Sequence, residues 1–240
     1  MSKPAESHRP SANRLLAALP PEEYSSILPR LELVHLTRGK VLYEIDETVL
    51  HAYFPLNGLI SLFSLTEDGA TIESALVGSE GVVGLPVFLK NHKTPYQIIV
   101  QFPSDAMRIK AAVLEREFSR CGPLQDLLLR YTQAVLAQIS QAAACNHFHS
   151  VKQRLCRWLL MSRDRVGADD LKLTHEYLAI MLGARRASVT DALGPLQEAG
   201  LVRYDRGRIV ILDGAGLEAR SCECYAVVRD EYDRLLGEAS

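Results

Sequence analysis

Cysteine is scarce and odd in number: five residues, Cys121, Cys145, Cys156, Cys222 and Cys224, are scattered over 240 positions. A chain of this length builds its core without disulfide staples, so the count excludes a secreted disulfide scaffold and leaves reduced thiols. No apolar run reaches the roughly eighteen residues that a membrane-spanning helix needs. The opening residues, MSKPAESHRPSANR, lack the apolar centre of a secretory signal. The expectation is a cytoplasmic protein with no membrane partner. Catalytic signatures are missing as well: there is no G-x-S-x-G elbow, no phosphate-cradling P-loop and no H-E-x-x-H. His175-Glu176 has no second histidine to complete a zinc pair, so an enzyme is not expected.

What is present reads as an ordinary folded chain, 48% apolar and 23% charged. Its near-neutral balance hides an asymmetry. Residues 150 to 212 carry 11 Lys and Arg against 7 Asp and Glu, whereas residues 213 to 240 carry 3 against 7. The local positive excess is a weak pointer to a polyanion.

From about residue 31 to 110, seven short apolar runs follow one another: LELVHL, VLYEI, HAYFPL, LISLFSL, TIESALV, YQIIVQF and AMRIK. Such spacing predicts a sandwich or barrel, and Asn57-Gly58 and Asp68-Gly69 read as hairpin turns. The pattern then turns helical. AAVLEREF is a short helix, Cys121-Gly122 breaks it, and Pro123 suits the first turn of a long helix that runs to about Phe148.

In that helix Leu124, Leu128, Tyr131, Val135, Gln138, Ala142 and Cys145 alternate spacings of four and three, a heptad seam. A second stripe holds Leu127, Leu129, Leu136, Ile139 and Ala143. One stripe would pack on the β-domain and the seam would meet a second copy. A single helix buried in a monomer is the competing expectation for the same residues.

Ser150 is a candidate N-cap for the helix VKQRLCRWLLMSRD, and Gly167 ends it. After a short strand, LKL, Thr174 caps HEYLAIML. The stretch GARRASVTDAL follows. Leu178, Leu182, Val189 and Leu193 supply contacts between two helices, Ala179 is small where they cross, and Gly183 suits a sharp left-handed bend. This is a helix-turn-helix pattern. LVRY, Arg206-Gly207-Arg208 and IVIL then make strand, basic turn and strand, a wing. The second helix of such a unit enters the major groove by its N-terminal edge. Arg185, Arg186, Ser188 and Thr190 occupy that edge, and Thr174, Arg206 and Arg208 are the candidate flanking contacts to double-stranded DNA.

The order of β-domain, seam helix and winged helix-turn-helix resembles the Crp/Fnr family of bacterial transcription regulators, over about residues 15 to 236. YFPLNGLISLFSLTEDGATIESALVGSEGVVGL is similar to that family's cyclic-nucleotide-binding-like β-roll. The resemblance implies an α+β protein with an N-terminal double-stranded β-helix of jelly-roll type. It divides the chain into a sensory β-roll over 1–122, a dimerisation helix over 123–149 and a winged unit over 150–240. It implies a homodimer on a palindromic operator, with RNA polymerase as a further partner. Gly78, Glu80, Gly81, Lys93 and Thr94 become the candidate effector pocket. Members that bind cyclic AMP fork an arginine onto the cyclic phosphate, but FLKNHKTPYQ offers only Lys90, Lys93 and Thr94, so cyclic AMP is not expected and the effector is unidentified. In the recognition helix Arg186 matches the family's first arginine, while Ala187 and Asp191 replace its usual Glu and second Arg. The operator should differ accordingly.

No cofactor is required by these patterns and no metal site is assigned. Cys145, His147 and His149 crowd the end of the long helix, where only the 145/149 pair shares a face. Cys222-Glu223-Cys224 is a weak metal signal by itself, and residues 1 to 120 contain no cysteine for an iron-sulfur cluster. A redox contact between two copies of Cys145 is a further option. The functional alternative is an effector sensor, for a cyclic nucleotide, metal or haem, whose output is not DNA binding.

Overall fold

The computed structural model describes residues 12–237, so the outer ends of the two flanking domain ranges lie outside it. Two short helices, α1 (Arg14–Ala17) and α2 (Pro21–Ile27), lead into β1 (Glu32–Leu36), β2 (Val41–Tyr43), β3 (His51–Pro55), β4 (Leu59–Leu65) and β5 (Thr71–Val77). A helical turn, α3 (Leu85–Phe88), precedes β6 (Gln97–Phe102) and β7 (Ser104–Lys110). Each of the seven apolar runs is thus a strand. They form two antiparallel sheets, β1-β7-β3 and β2-β6-β4-β5, that enclose Phe54, Leu59, Ile60, Ile98 and Ala106. β4 is buried along most of its length, because one face meets the opposite sheet while helices cover the other.

Asp68-Gly69 closes the β4–β5 hairpin, where the Thr66 amide donates to the Ala70 carbonyl at 2.9 Å. Asn57-Gly58 departs from expectation. It carries the chain from one sheet to the other, since β3 pairs with β7 and not with β4. Ser104 Oγ and the Asp105 amide hold the corner by donating to Asn57 O and Oδ1 at 2.6 and 2.8 Å. The dipeptide dictates a reversal, but non-local pairing decides which strands it joins.

Helix α4 (Ala111–Phe118) is followed by α5 (Pro123–Phe148) and α6 (Val151–Val166). Ser150 and Gln153 form a reciprocal capping box at the start of α6, and Gly167 ends it. The winged unit contains β8 (Asp170–Leu171), α7 (His175–Met181), α8 (Arg186–Glu198), β9 (Val202–Asp205) and β10 (Arg208–Ile211), with sheet order β8-β10-β9. Two helices complete the described chain, α9 (Gly214–Glu218) and α10 (Cys224–Leu236). α10 lies along α5, where the Tyr232 and Tyr131 rings meet edge-on at 6.4 Å, and its Asp233 pairs with Arg14 of α1 at 2.8 Å.

The heptad seam of α5 is corrected. Leu124, Leu128, Tyr131, Val135, Gln138, Ala142 and Cys145 are all buried within the single chain. Tyr131 donates its hydroxyl to Val82 O at 3.1 Å. Gln138, the polar interruption, donates to Leu76 O at 3.1 Å and accepts from Arg165 at 3.0 Å. Both ends of its amide are thereby satisfied against β5 and α6, which fixes this stripe inward. The exposed face carries Leu129, Gln133, Leu136, Ser140, Ala143 and His147, again at spacings of four and three. Leu129 and Leu136 are 47% and 60% exposed.

Candidate nucleic-acid interface

The helix-turn-helix is locked from inside by Leu178, Leu182, Val189 and Leu193, all buried. Gly183 takes the left-handed φ of +53° that the bend requires, so a side chain there would be strained. Burying those four leaves the opposite side of α8 outward. Arg185, Arg186 and Thr190 are exposed at its N-terminal edge, and Ser188 is half-buried. Arg185 holds the N-cap position, and Arg186 pairs with Glu176 at 2.9 Å, both partners well exposed. Thr190 donates to Arg186 O at 3.2 Å and lies 2.9 Å from His175 Nδ1. Burial and the Arg186 charge push His175 below its usual range, so at neutral pH the ring is neutral. Thr174 is the N-cap of α7 and accepts from the Tyr177 amide at 3.2 Å.

The wing turn stands as its sequence requires, with Arg206 and Gly207 at φ +43° and +78°. Arg206 is exposed and has no ion pair among the described residues. Arg208 grips Asp170 with two hydrogen bonds, which hold that carboxyl below the usual range. The two wing arginines are therefore not equivalent. Sequence reasoning missed Asp170, and also Lys172 and Arg203, both exposed and both acting on Asp170. No local signal could have grouped them, because only the β8–β10–β9 pairing brings them together.

The candidate effector residues separate. Lys93 and Thr94 line a cavity of about 260 Å³ between the β-roll and α5, which contributes Thr132, Val135, Leu136 and Ile139. Glu80 faces elsewhere. Its carboxylate accepts from the Gly78 amide and pairs with buried Arg165 at 2.8 Å, beside a larger groove between α1, α6 and α10. Gly81 is packed against the Tyr131 ring. The five-residue pocket that the resemblance implies is thus corrected: its acidic member is consumed by α6, which no local pattern foretold. A cyclic phosphate needs a forked guanidinium. Lys93 is the one charged residue lining the cavity, so the residues present do not fit a cyclic nucleotide.

A second convergence was not expected. Cys145, His149, Cys222 and Cys224 present one ligand-type atom each, and all four lie within 4.8 Å of one another. Cys145 faces Cys222 inside the chain at 3.5 Å, so it does not reach across to a second copy.

A β-roll joined by a long helix to an exposed winged helix-turn-helix defines a class, the effector-modulated DNA-binding transcription regulators. Comparison with known proteins narrows it. The cyclic nucleotide-binding domain matches residues 33–121 and the Crp-like helix-turn-helix domain matches residues 153–220. The global nitrogen regulator of Synechococcus elongatus is 22% identical, over 78% of this chain and 88% of its own. Transcriptional regulator SdrP of Thermus thermophilus is 27% identical over 70% of this chain and 82% of its own. The solved structure of FixK2 from Bradyrhizobium japonicum superposes with a TM-score of 0.69 at 17% identity, covering 80% of this chain and 98% of that one. The chain belongs to the Crp/Fnr family of transcription regulators. None of its described helices is long and apolar enough to cross a membrane.

Proposed function

We propose that two copies of the chain read a palindromic operator, each through the N-terminal edge of its α8. Arg186 and Arg185 take base edges or phosphates in the major groove, with Ser188 and Thr190 beside them. Thr174 at the start of α7 and Arg206 at the wing tip hold the DNA backbone, and Arg208 joins them once it leaves Asp170. The single observation that carries this reading is the outward stand of Arg185, Arg186 and Thr190 on a helix whose opposite face is fully packed.

The dimer forms on the exposed stripe of α5 around Leu129 and Leu136. Support comes from its heptad spacing and from two large apolar side chains left in water. Leu136 also lines the β-roll cavity, so an occupant touches the same turn of helix that meets the partner. Ligand and dimer geometry are thereby coupled, because an effector biases only states it contacts differently. The largely apolar lining favours a compact, mostly apolar effector over a cyclic nucleotide. Such a regulator acts in the cytoplasm, beside RNA polymerase.

Selection of bound sequences from a random duplex pool tests the reading. Enrichment of a palindrome with half-sites about one helical turn apart supports it. Enrichment of a single, non-palindromic site, or of a palindrome that the Arg185→Ala, Arg186→Ala double variant still selects, overturns it.

A further inference from the structure

The four side chains Cys145, His149, Cys222 and Cys224 come from two distant parts of the chain. Cys145 and His149 lie one turn apart at the end of α5, and Cys222 and Cys224 flank the start of α10. The three sulfurs are buried and form a cluster separate from the main core. The observed edges are 3.5 Å between Cys145 Sγ and Cys222 Sγ, and 3.4 Å between Cys224 Sγ and His149 Nδ1. Around a tetrahedral zinc-type ion with metal–sulfur and metal–nitrogen bonds of about 2.3 and 2.0–2.1 Å, the corresponding edges are about 3.8 and 3.6 Å. The cage is therefore close to the size of one ion, its widest separation, up to 4.8 Å, closing by about 1 Å on binding. It is too small for a multi-iron cluster, whose thiolates sit on separate irons.

We propose that Cys145, His149, Cys222 and Cys224 form a Cys₃His site for one tetrahedral, thiolate-preferring divalent transition metal of the zinc type. Two further observations point the same way. His149 offers Nδ1 to the cage, while its Nε2 lies 3.3 Å from the Glu223 carboxylate. A carboxylate on the far ring nitrogen is the usual device that fixes the tautomer of a metal-binding histidine. Gln141 also donates to Cys224 Sγ at 3.1 Å, a contact that a metal-bound sulfur can keep.

The second observation concerns charge. Arg154 and Arg157 are buried, 8% exposed each, and neither forms an ion pair among the described residues. Both leave a buried Nε without a partner, and both act electrostatically on Cys145 or are acted on by it. The buried carboxyl of Glu73 acts on Arg157, whereas no carboxylate acts on Arg154, and a buried cation without a counter-charge is costly. Three thiolates around a divalent ion leave one net negative charge beside these guanidinium groups, the counter-charge that neutral thiols cannot supply. Binding releases one proton from each thiol that is not already ionised.

The site ties the two-residue link between α5 and α6, His149-Ser150, to the start of α10. An ion there fixes the angle at which the winged unit leaves the long helix. This holds whether or not the proposed operator contacts are correct, and its test uses no DNA.

The experiment is titration of the reduced, metal-stripped full-length chain with Co²⁺. The expected result is one Co²⁺ per chain, with the intense visible bands of a tetrahedral thiolate site, bleached by Zn²⁺. Glu223→Gln should weaken binding by about 10-fold or more, and Cys222→Ser with Cys224→Ser should abolish the bands, while Cys121→Ser leaves them unchanged. Should the double variant not fold, alkylation of the wild-type chain with and without Zn²⁺ substitutes for it. Zinc should then protect Cys145, Cys222 and Cys224 and leave exposed Cys121 reactive. Absence of a tetrahedral cobalt spectrum, bands that survive the double variant, or zinc protection that misses these three thiols would each overturn the proposal. So would a Cys145–Cys222 disulfide that, once reduced, still takes up no metal.

Discussion

The indole nitrogen of Trp158 in α6 donates to Oε2 of Glu73 in β5 at 2.6 Å, and this bond joins the helix that leads into the winged unit to the β-roll. Ser61 donates to the same carboxyl group at 3.1 Å. Around it, Tyr177 of α7 bonds Gln101 of β6, and the Arg38 guanidinium lies 5.3 Å from the Tyr177 ring centroid. Burial pushes Glu73 up to about 7, against the opposing pull of Trp158 and Ser61.

Its folded value therefore lies above the unfolded one, 4.5. Between these values the folded state holds a proton that the unfolded state has lost, so stability falls as pH rises. The contribution is complete below pH 4.5 and is lost as pH climbs through about 7, a total on the order of 3 kcal/mol. Urea midpoints taken from about pH 5 to about pH 8 should decline, and Glu73→Gln should flatten that decline. As the sole tryptophan, Trp158 reports the interface by its emission. An unchanged pH slope in Glu73→Gln would remove Glu73 as its source.

Arg186→Ala should cost about 1–3 kcal/mol at the selected operator and much less on random duplex. Arg186→Lys should recover the random-sequence affinity but not the discrimination, because lysine keeps the charge and loses the fork. Equal losses on both duplexes would make Arg186 a phosphate contact. Competition binding measures this.

The two wing arginines should differ. Arg206→Ala should lower the salt dependence of binding by about one unit of slope. Arg208→Ala should have a smaller effect, since Asp170 already neutralises that guanidinium. Asp170→Asn should strengthen binding by freeing it. Weaker binding by Asp170→Asn would mean that the pair serves to aim Arg208.

Leu136→Glu should dissociate the dimer without unfolding the chain, because the side chain is 60% exposed in the single copy. Gln138→Ala should do the reverse. It leaves the dimer intact but costs about 1–3 kcal/mol of stability by stranding Leu76 O and one bond of Arg165. Sedimentation and thermal melts separate the two, and a Gln138→Ala monomer would return the interface to the seam.

Gly81→Ala tests the packing of α5 on the roll. A Cβ there would collide with the Tyr131 ring, whose hydroxyl is fixed to Val82 O. A loss of about 1–3 kcal/mol in denaturant melts is expected. Tyr131→Phe combined with Gly81→Ala should recover part of it.

The local elements were legible in the residues alone. Seven strands, the Ser150 and Thr174 caps, the Gly183 bend and the Arg206-Gly207 turn all rest on period, capping and positive φ, which act within a few residues. The identity of the helix-turn-helix and the exposed stand of Arg185 and Arg186 follow from the same short-range rules. Choices between equivalent local patterns were settled by long-range packing. α5 carries two stripes at heptad spacing, and periodicity is blind to which one meets the β-roll. The polar bonds of Gln138 and Tyr131 made that choice. Asn57-Gly58 could turn the chain within a sheet or between sheets, and β3–β7 pairing decided. Glu80 was drawn to Arg165, and Cys145 to Cys222, by residues far away in sequence. Such contacts depend on where whole elements dock, which burial energy and charge pairing set together, so no spacing along the chain encodes them.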